Sequence, residues 1–244
     1  MGGRDLGSDS SIERKALRVF LKTGPELANL LAPEGPAPAE SSTRHTEARL
    51  DQGRFPLIFR WEMSHGVATW LEEMATVPSP RPVRRSAVFD FQPDLVITSI
   101  APDVELLVPP EAEGTETFKA NATALIEKIR QRCDASILWC NTTTVGQDVE
   151  PTNHHRLIVE PRSLKVHRLC LALVELSLEL GISIIDIDRV LGEAGLGLDG
   201  GGNAERDPLP ALREETLRVI EDYGYFDDRP ITAQVGRIGV GGGD

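Results

Sequence analysis

Apolar and polar positions follow one another in blocks that predict a β-sheet covered by helices. Four short apolar runs rich in β-branched residues predict buried strands, at residues 55–61, 95–100, 136–140 and 182–187. Apolar residues at helical spacing predict helices at residues 63–74, 118–133, 164–180 and 209–223. Strands that alternate with helices are typical of a parallel sheet. Right-handed crossovers then place all the carboxyl ends of its strands at one edge.

A further helical pattern precedes the first of these strands. Apolar residues fall at helical spacing over residues 11–31, which predicts an N-terminal helical extension. Residues 32–43 are rich in Pro, Ala and Glu, which predicts an exposed, protease-sensitive linker. The chain is therefore expected to divide into a helical extension with its linker, an α/β domain and a C-terminal tail. These units are residues 1–53, 54–228 and 229–244.

Composition narrows the partners that this chain is expected to have. The net charge of −12 and the pI near 4.9 argue against nucleic acid or an anionic membrane as the main partner. No apolar run approaches the roughly 18 residues of a membrane span, and no signal peptide is visible, so the expected location is the cytoplasm. The three cysteines, Cys133, Cys140 and Cys170, are expected to be free thiols. The oligomeric state stays open.

Polar side chains follow three of the predicted strands. Ser64 comes after the strand at 55–61, Asp103 after the strand at 95–100, and Asn141 directly after the strand at 136–140. Ligands of open α/β sheets bind outside the carboxyl ends of the strands, so these three side chains are expected to line one cleft. Two alternatives stay open: Ser64 as a helix N-cap, and Asn141 as a turn residue.

Two neighbouring histidines, His154 and His155, lie in the polar loop after the strand at 136–140. Either imidazole could reach back over the cleft as a general base, and solvated loop histidines are the alternative. No third ligand stands at a suitable spacing, so no metal is expected. The glycine-rich stretches at residues 200–202 and 241–243 follow no strand, so no nucleotide cofactor is expected either.

The order of four segments resembles the SGNH (GDSL-type) hydrolases over roughly residues 54–226. These segments are PDLVITSIAPD, FKANATALIEKIRQ, ILWCN and ALVELSLELGISIIDIDRVLGEAG. The resemblance implies an α/β fold with a flavodoxin-like parallel sheet, helices on both faces and a Ser-His-Asp site at the carboxyl edge. It also implies ester or acyl hydrolysis of an O-acylated small molecule or sugar.

The catalytic motifs of that family are incomplete in this chain. Ser64 stands near the place of the nucleophile but lacks the flanking Gly and Asp, and residues 100–103 keep only the final Asp of Gly-x-Asn-Asp. No histidine follows His167, so the Asp-x-x-His pair is absent. Two functions are therefore compatible with the sequence: a divergent ester hydrolase, or a non-catalytic relative that binds a ligand or partner at the same edge.

Overall fold

The computed structural model describes seven stretches of the 244-residue chain, which are residues 16–31, 46–51, 56–75, 85–106, 111–143, 162–194 and 208–224. The strands are β1 (Leu17–Thr23), β2 (Thr46–Asp51), β3 (Pro56–Met63), β4 (Leu95–Ser99), β5 (Ser136–Cys140) and β6 (Ser183–Ile185). The helices are α1 (Val67–Glu73), α2 (Val88–Phe91), α3 (Ala101–Leu106), α4 (Glu111–Arg130), α5 (Arg162–Leu180), α6 (Ile187–Glu193) and α7 (Leu209–Asp222).

The six strands form one sheet in the order β2-β3-β1-β4-β5-β6. Strand β2 is antiparallel to β3, whereas the five others run parallel to their neighbours. The four strands expected from the apolar runs are all present and mutually parallel, so that prediction is confirmed. Taken alone, the parallel strands follow the flavodoxin-like order, in which the first strand along the chain is second in the sheet.

Helices cover both faces of the sheet, as predicted. One core lies under α1, α2, α4 and α5 and contains Phe20, Trp70 and Trp139. The other lies under α6, α7 and the 3-10 turn at Pro25–Leu27, and it contains Leu21 and Trp61. Alternate residues of the five parallel strands enter opposite cores, and this is why the sequences of these strands are largely apolar on both faces.

The predicted N-terminal helix is wrong. Leu17–Thr23 is instead a strand, β1, and it pairs with β3 on one side and β4 on the other. Apolar residues at positions 17, 20 and 21 fit a helical face, but Val19 is equally buried, and only a strand with cores on both faces buries all four. The chain turns at Gly24, and Leu27, Leu30 and Leu31 pack into the second core.

The predicted boundary at residue 54 falls inside the sheet. Strand β1 lies at its centre and β2 at its edge, so residues 17–23 and 46–51 belong to the same sheet as the strands after residue 54. They do not form a separate helical extension. The linker at residues 32–43, the loop with His154 and His155 and the tail at residues 229–244 lie outside the described residues.

The element after β3 begins later than its apolar spacing predicts. Strand β3 continues to Met63 because that residue still pairs with Thr23 of β1, and helix α1 then runs from Val67 to Glu73. The residues between them form a turn at the carboxyl edge of the sheet. Within the described stretches, no helix has both the length and the apolar character needed to cross a membrane.

The central position of β1 predicts a large effect of shortening one of its side chains. Leu21 is fully buried, so Leu21→Ala should lower the free energy of unfolding by about 2–5 kcal/mol. Leu106→Ala is the matched control, because that leucine is 57% exposed and should cost below about 1 kcal/mol. Urea unfolding measures both. Equal effects of the two variants would contradict the placement of β1 in the core.

Candidate active site

A tight turn after β3 holds Ser64 at the carboxyl edge of the sheet. The Ser64 amide donates to the Thr23 carbonyl at 2.9 Å, so the ladder between β1 and β3 extends one residue beyond Met63. The Ser64 side chain is buried, and its Oγ accepts a hydrogen bond of 3.3 Å from the Gly66 amide. Ser64 is therefore held by a backbone group of β1 and by a backbone group of its own turn.

Asp103 reaches the same turn from the other side of β1. It lies in α3, directly after β4, and its Oδ1 accepts a 2.9 Å hydrogen bond from the amide of Val67. Helix α1 begins at Val67, so the Asp103 carboxylate lies at the amino end of that helix. The alternative role of Ser64 as the N-cap is wrong, because Gly66 occupies the N-cap position and the Asp103 side chain bonds the first helical amide.

The second carboxylate oxygen of Asp103 has no hydrogen-bond partner. Among the described residues, Asp103 Oδ2 and Trp139 Nε1 are the two buried side-chain polar atoms without one. Burial raises the pKa of Asp103 from 3.8 to about 6, and the hydrogen bonds from the backbone amides of Val67 and Asp103 oppose that rise. This carboxyl group therefore changes its protonation near neutral pH.

Gly66 permits the close approach of the turn to α3. Its φ of 89° lies in the region that favours glycine. A Cβ atom at this position would lie 2.8 Å from Leu106 Cδ1 and 3.0 Å from Asp103 Oδ1. Any side chain there would press on the carboxylate, so a glycine is required for Asp103 to reach Val67.

Ser64 and Asp103 consequently share one end of the sheet, as predicted. Their side-chain oxygens bond the adjacent amides of Gly66 and Val67 at 3.3 Å and 2.9 Å. Since adjacent backbone nitrogens are separated by less than about 4 Å, the two oxygens are at most roughly 10 Å apart. No base among the described residues is bonded to the Ser64 hydroxyl. The neighbouring His65 is exposed.

Asn141 belongs to a different part of the edge. Its Nδ2 donates to Asp186 Oδ1 at 2.9 Å, and its Oδ1 accepts from the Ile187 amide at 2.6 Å. Its side chain thereby ties the end of β5 to the turn between β6 and α6. Three strand intervals separate β3 from β5, or about 14 Å at the usual spacing. Ser64 and Asp103 therefore lie close enough to share one cleft, which stays a prediction, whereas Asn141 lies farther along the edge.

A buried ion-pair network lies beside the Ser64 turn, and the sequence pattern did not indicate it. Lys22 of β1 is 2% exposed, and its Nζ lies 3.3 Å from Glu62 Oε2 and 2.5 Å from Glu73 Oε2. Glu62 also accepts hydrogen bonds from the Ser86 hydroxyl and the Ala87 amide. The pair Lys22–Glu62 could have been found only from the register of β1 against β3, which the helical interpretation of residues 11–31 concealed.

Metal-ligating side chains do not gather at this edge. In the stretches that the structure describes, no group of three or more His, Cys, Asp or Glu side chains is placed to hold an ion. Burial raises the pKa of the Cys170 thiol on α5 to about 11, which disfavours the reactive thiolate form. The side chains that the structure places at the Ser64 turn contribute a hydroxyl and a carboxyl group.

Comparison with solved structures identifies the fold. An acetyl xylan esterase, AlAXEase, superposes with a TM-score of 0.52 at 10% identity, over 84% of this chain and 100% of the other. A Bacillus subtilis protein superposes with a TM-score of 0.50 at 11% identity, over 86% of this chain and 57% of the other. A Veillonella parvula member of the lipolytic G-D-S-L family gives 0.47 at 13% identity, over 84% and 99% of the two chains.

The chain has an α/β fold like that of the acetyl xylan esterase, which is the architecture expected from the resemblance in sequence. At these identities the likeness concerns the fold alone, since one fold hosts many activities. No family model matches the sequence, and no curated protein does. The carboxyl edge of β3, β1 and β4 carries Ser64 and Asp103, and ligands of open α/β sheets bind outside this edge.

Alanine substitutions at three glycines test how closely the Ser64 turn approaches α3. Gly66→Ala should destabilise the fold by about 1–3 kcal/mol, from backbone strain together with contact on Asp103 and Leu106. Gly181→Ala carries positive-φ strain without any contact and should cost about 1 kcal/mol. Gly192→Ala, in open space within α6, should stabilise by roughly 0.5–1 kcal/mol. Urea unfolding measures all three, and equal costs at Gly66 and Gly181 would contradict the packing at Gly66.

The raised pKa of Asp103 predicts a pH-dependent effect on stability. Its value in the folded chain, about 6, exceeds the ordinary 3.8, so the folded state binds the proton more tightly than the unfolded state. This contribution is fully present below about pH 4 and is lost as the pH rises through 6. Asp103→Asn does not titrate, and its stability relative to the parent should rise by roughly 2–3 kcal/mol between pH 4 and pH 8. A pH-independent difference in urea unfolding would contradict the shift.

Proposed function

We propose that this protein hydrolyses an ester or acyl bond of an O-acylated small molecule or sugar at the carboxyl edge of its sheet. In this proposal Ser64 is the nucleophile and Asp103 is the proton acceptor. The observation that carries the proposal is the buried Asp103 carboxyl group, with its free Oδ2 and its pKa near 6, at the same turn as a serine hydroxyl. The hydrolase-like fold supports the same class of reaction.

The burial of Asp103 with one unpaired oxygen is informative because it destabilises the fold. A buried carboxylate without a full set of hydrogen bonds destabilises a fold, and such groups cluster at sites where a proton is transferred. A structural N-cap requires only the Oδ1 contact with Val67 and could equally be served by a neutral or exposed side chain. Retention of a charged and half-satisfied carboxyl group therefore favours a chemical role.

The proposed reaction follows from the groups at the turn. The Ser64 oxygen forms a bond to the acyl carbon, and its proton passes through water to Asp103. The bond between the acyl carbon and the alcohol oxygen then breaks, and the alcohol leaves with the proton returned by Asp103. Water repeats the sequence on the acyl-serine, releases the acid and restores the free hydroxyl.

The second candidate is a non-catalytic protein that binds its ligand at the same edge. A specific observation favours it: the described hydrogen bond of Ser64 Oγ goes to the Gly66 amide and not to a base. Loss of a base from a serine site typically removes several orders of magnitude in rate. The loop histidines His154 and His155 lie outside the described stretches, and a general-base role for either remains part of the catalytic proposal.

Hydrolysis of p-nitrophenyl acetate tests the catalytic proposal. We expect slow turnover, with kcat/KM rising through an apparent pKa near 6 and then levelling off, because only the ionised Asp103 accepts a proton. Ser64→Ala should abolish turnover. Asp103→Asn should lower kcat/KM by about 10²–10⁴-fold and remove the inflection. Ser136→Ala is the control, because Ser136 lies at the opposite, amino end of β5.

A fluorophosphonate probe separates the two candidates. Labelling of the parent protein that disappears in Ser64→Ala would support the nucleophile, since the probe reacts with activated serines. Turnover that survives Ser64→Ala would rule out Ser64. Absence of both labelling and turnover between pH 5 and pH 9 would contradict the catalytic proposal and leave the binding function.

A further inference from the structure

One face of α5 exposes an apolar stripe, which the exposed His167 interrupts between its first two leucines. It consists of Leu164, Leu171, Val174 and Leu178, which are 43%, 66%, 47% and 83% exposed. The opposite face of the helix is buried against the first core through Val166, Leu169 and Leu173. The leucines of the stripe are spaced by seven residues, and Val174 follows Leu171 by three, which is the spacing of a helix that packs lengthwise on another helix.

The charges of α5 are arranged in the opposite sense to its dipole. Its first half carries Lys165 and Arg168, and its last half carries Glu175 and Glu179; the first turn has no acidic residue and the last turn no basic one. An isolated helix prefers acidic residues at its amino end and basic residues at its carboxyl end. The observed order is the one that an antiparallel neighbour with the same sequence would complement.

The heptad positions of α5 indicate that two copies of this helix would pack antiparallel. If Leu164, Leu171 and Leu178 occupy one core position, Arg168 and Glu175 both occupy the position four residues further on. Residues at this position face each other across an antiparallel helix pair, but not across a parallel pair. Arg168 of one copy would then lie against Glu175 of the other, and the two-fold axis would repeat the contact.

We propose that α5 is the interface of a homodimer, in which the stripe packs antiparallel against the stripe of a second copy. Leu171 and Val174 lie at the centre, and the Arg168–Glu175 contacts flank them on both sides of the two-fold axis. A second copy fits better than an unrelated partner because both the apolar spacing and the charge order are self-complementary. Glu175 already accepts a hydrogen bond from Lys119 at 2.6 Å, so its carboxylate would bridge the two copies.

The length of the apolar stripe indicates how tightly two copies of the chain should associate. From Leu164 to Leu178 it extends about 21 Å along the helix. One helix pair of this length covers less surface than the roughly 800 Å² per partner of a standard interface. We therefore expect a reversible dimer with a dissociation constant in the micromolar range.

Sedimentation equilibrium of the full chain over a range of concentrations tests the proposal. Leu171→Glu introduces two buried charges at the centre of the dimer and should weaken association by roughly 100-fold or more. Tyr223→Glu is the control, because Tyr223 is 60% exposed and follows α7 on the other side of the sheet. It should leave the dissociation constant unchanged. Circular dichroism melts verify that both variants fold.

A charge exchange tests the orientation of the two helices. Arg168→Glu and Glu175→Arg should each weaken the dimer by roughly 10-fold, because like charges then meet twice, and the double variant should restore association. A parent protein that stays monomeric at all concentrations would overturn the proposal. So would a dimer that tolerates Leu171→Glu, or a double variant no tighter than the single ones.

Discussion

The ammonium group of Lys22 is almost entirely withdrawn from water, and the surrounding elements are arranged to hold it. A buried charge destabilises a fold by several kcal/mol unless it is paired and hydrogen-bonded. Lys22 on β1 meets Glu62 on β3 and Glu73 at the end of α1, and Glu62 in turn bonds the segment that leads into α2. This one group therefore fixes two strands and two helices relative to one another, and the indole of Trp70 completes its surroundings.

The geometry of the candidate site depends on the ion pairs of Lys22. Helix α1 is held at its carboxyl end by the contact of Glu73 with Lys22, and at its amino end by the contact of Val67 with Asp103. The Ser64 turn is the short segment between two fixed points, the Ser64 amide bonded to the Thr23 carbonyl and the Val67 amide bonded to Asp103. A catalytic or ligand-binding group on a short segment fixed at both ends loses little conformational entropy when its ligand arrives. Rigid support and an unsatisfied carboxyl group thus occur at the same place.

Much of the fold could be predicted from the sequence, because strands buried on both faces are continuous apolar runs. The runs at β3, β4, β5 and β6 indicated a parallel sheet, and the polar residues after them indicated its functional edge. The strand β1 was missed because apolar residues at 17, 20 and 21 satisfy a helical period and a doubly buried strand equally well. The helical interpretation of these residues also concealed the pairing of Lys22 with Glu62, and it placed the domain boundary too late in the chain.

Asp103 and Gly66 have properties at the site that sequence patterns alone do not predict. A position after a buried strand is enough to suggest Asp103, but its pKa depends on burial and on a free oxygen that only the packing of α3 creates. The role of Gly66 depends on the approach of Leu106 and Asp103, which are about 40 residues away. Asn141, suggested by the same reasoning as Asp103, instead bonds the next turn of the sheet.

The central position of β1 also affects folding of the chain during its synthesis. Leu17 pairs with Leu57, and Val19 pairs with Leu95, so the strand emerges long before both its neighbours exist. At 5–20 residues per second, about 4–15 s pass between the synthesis of β1 and that of β4. During that interval an apolar strand with two open edges is available to neighbouring chains. Arg18 and Lys22, which interrupt its apolar sequence, then act as charged gatekeepers against aggregation.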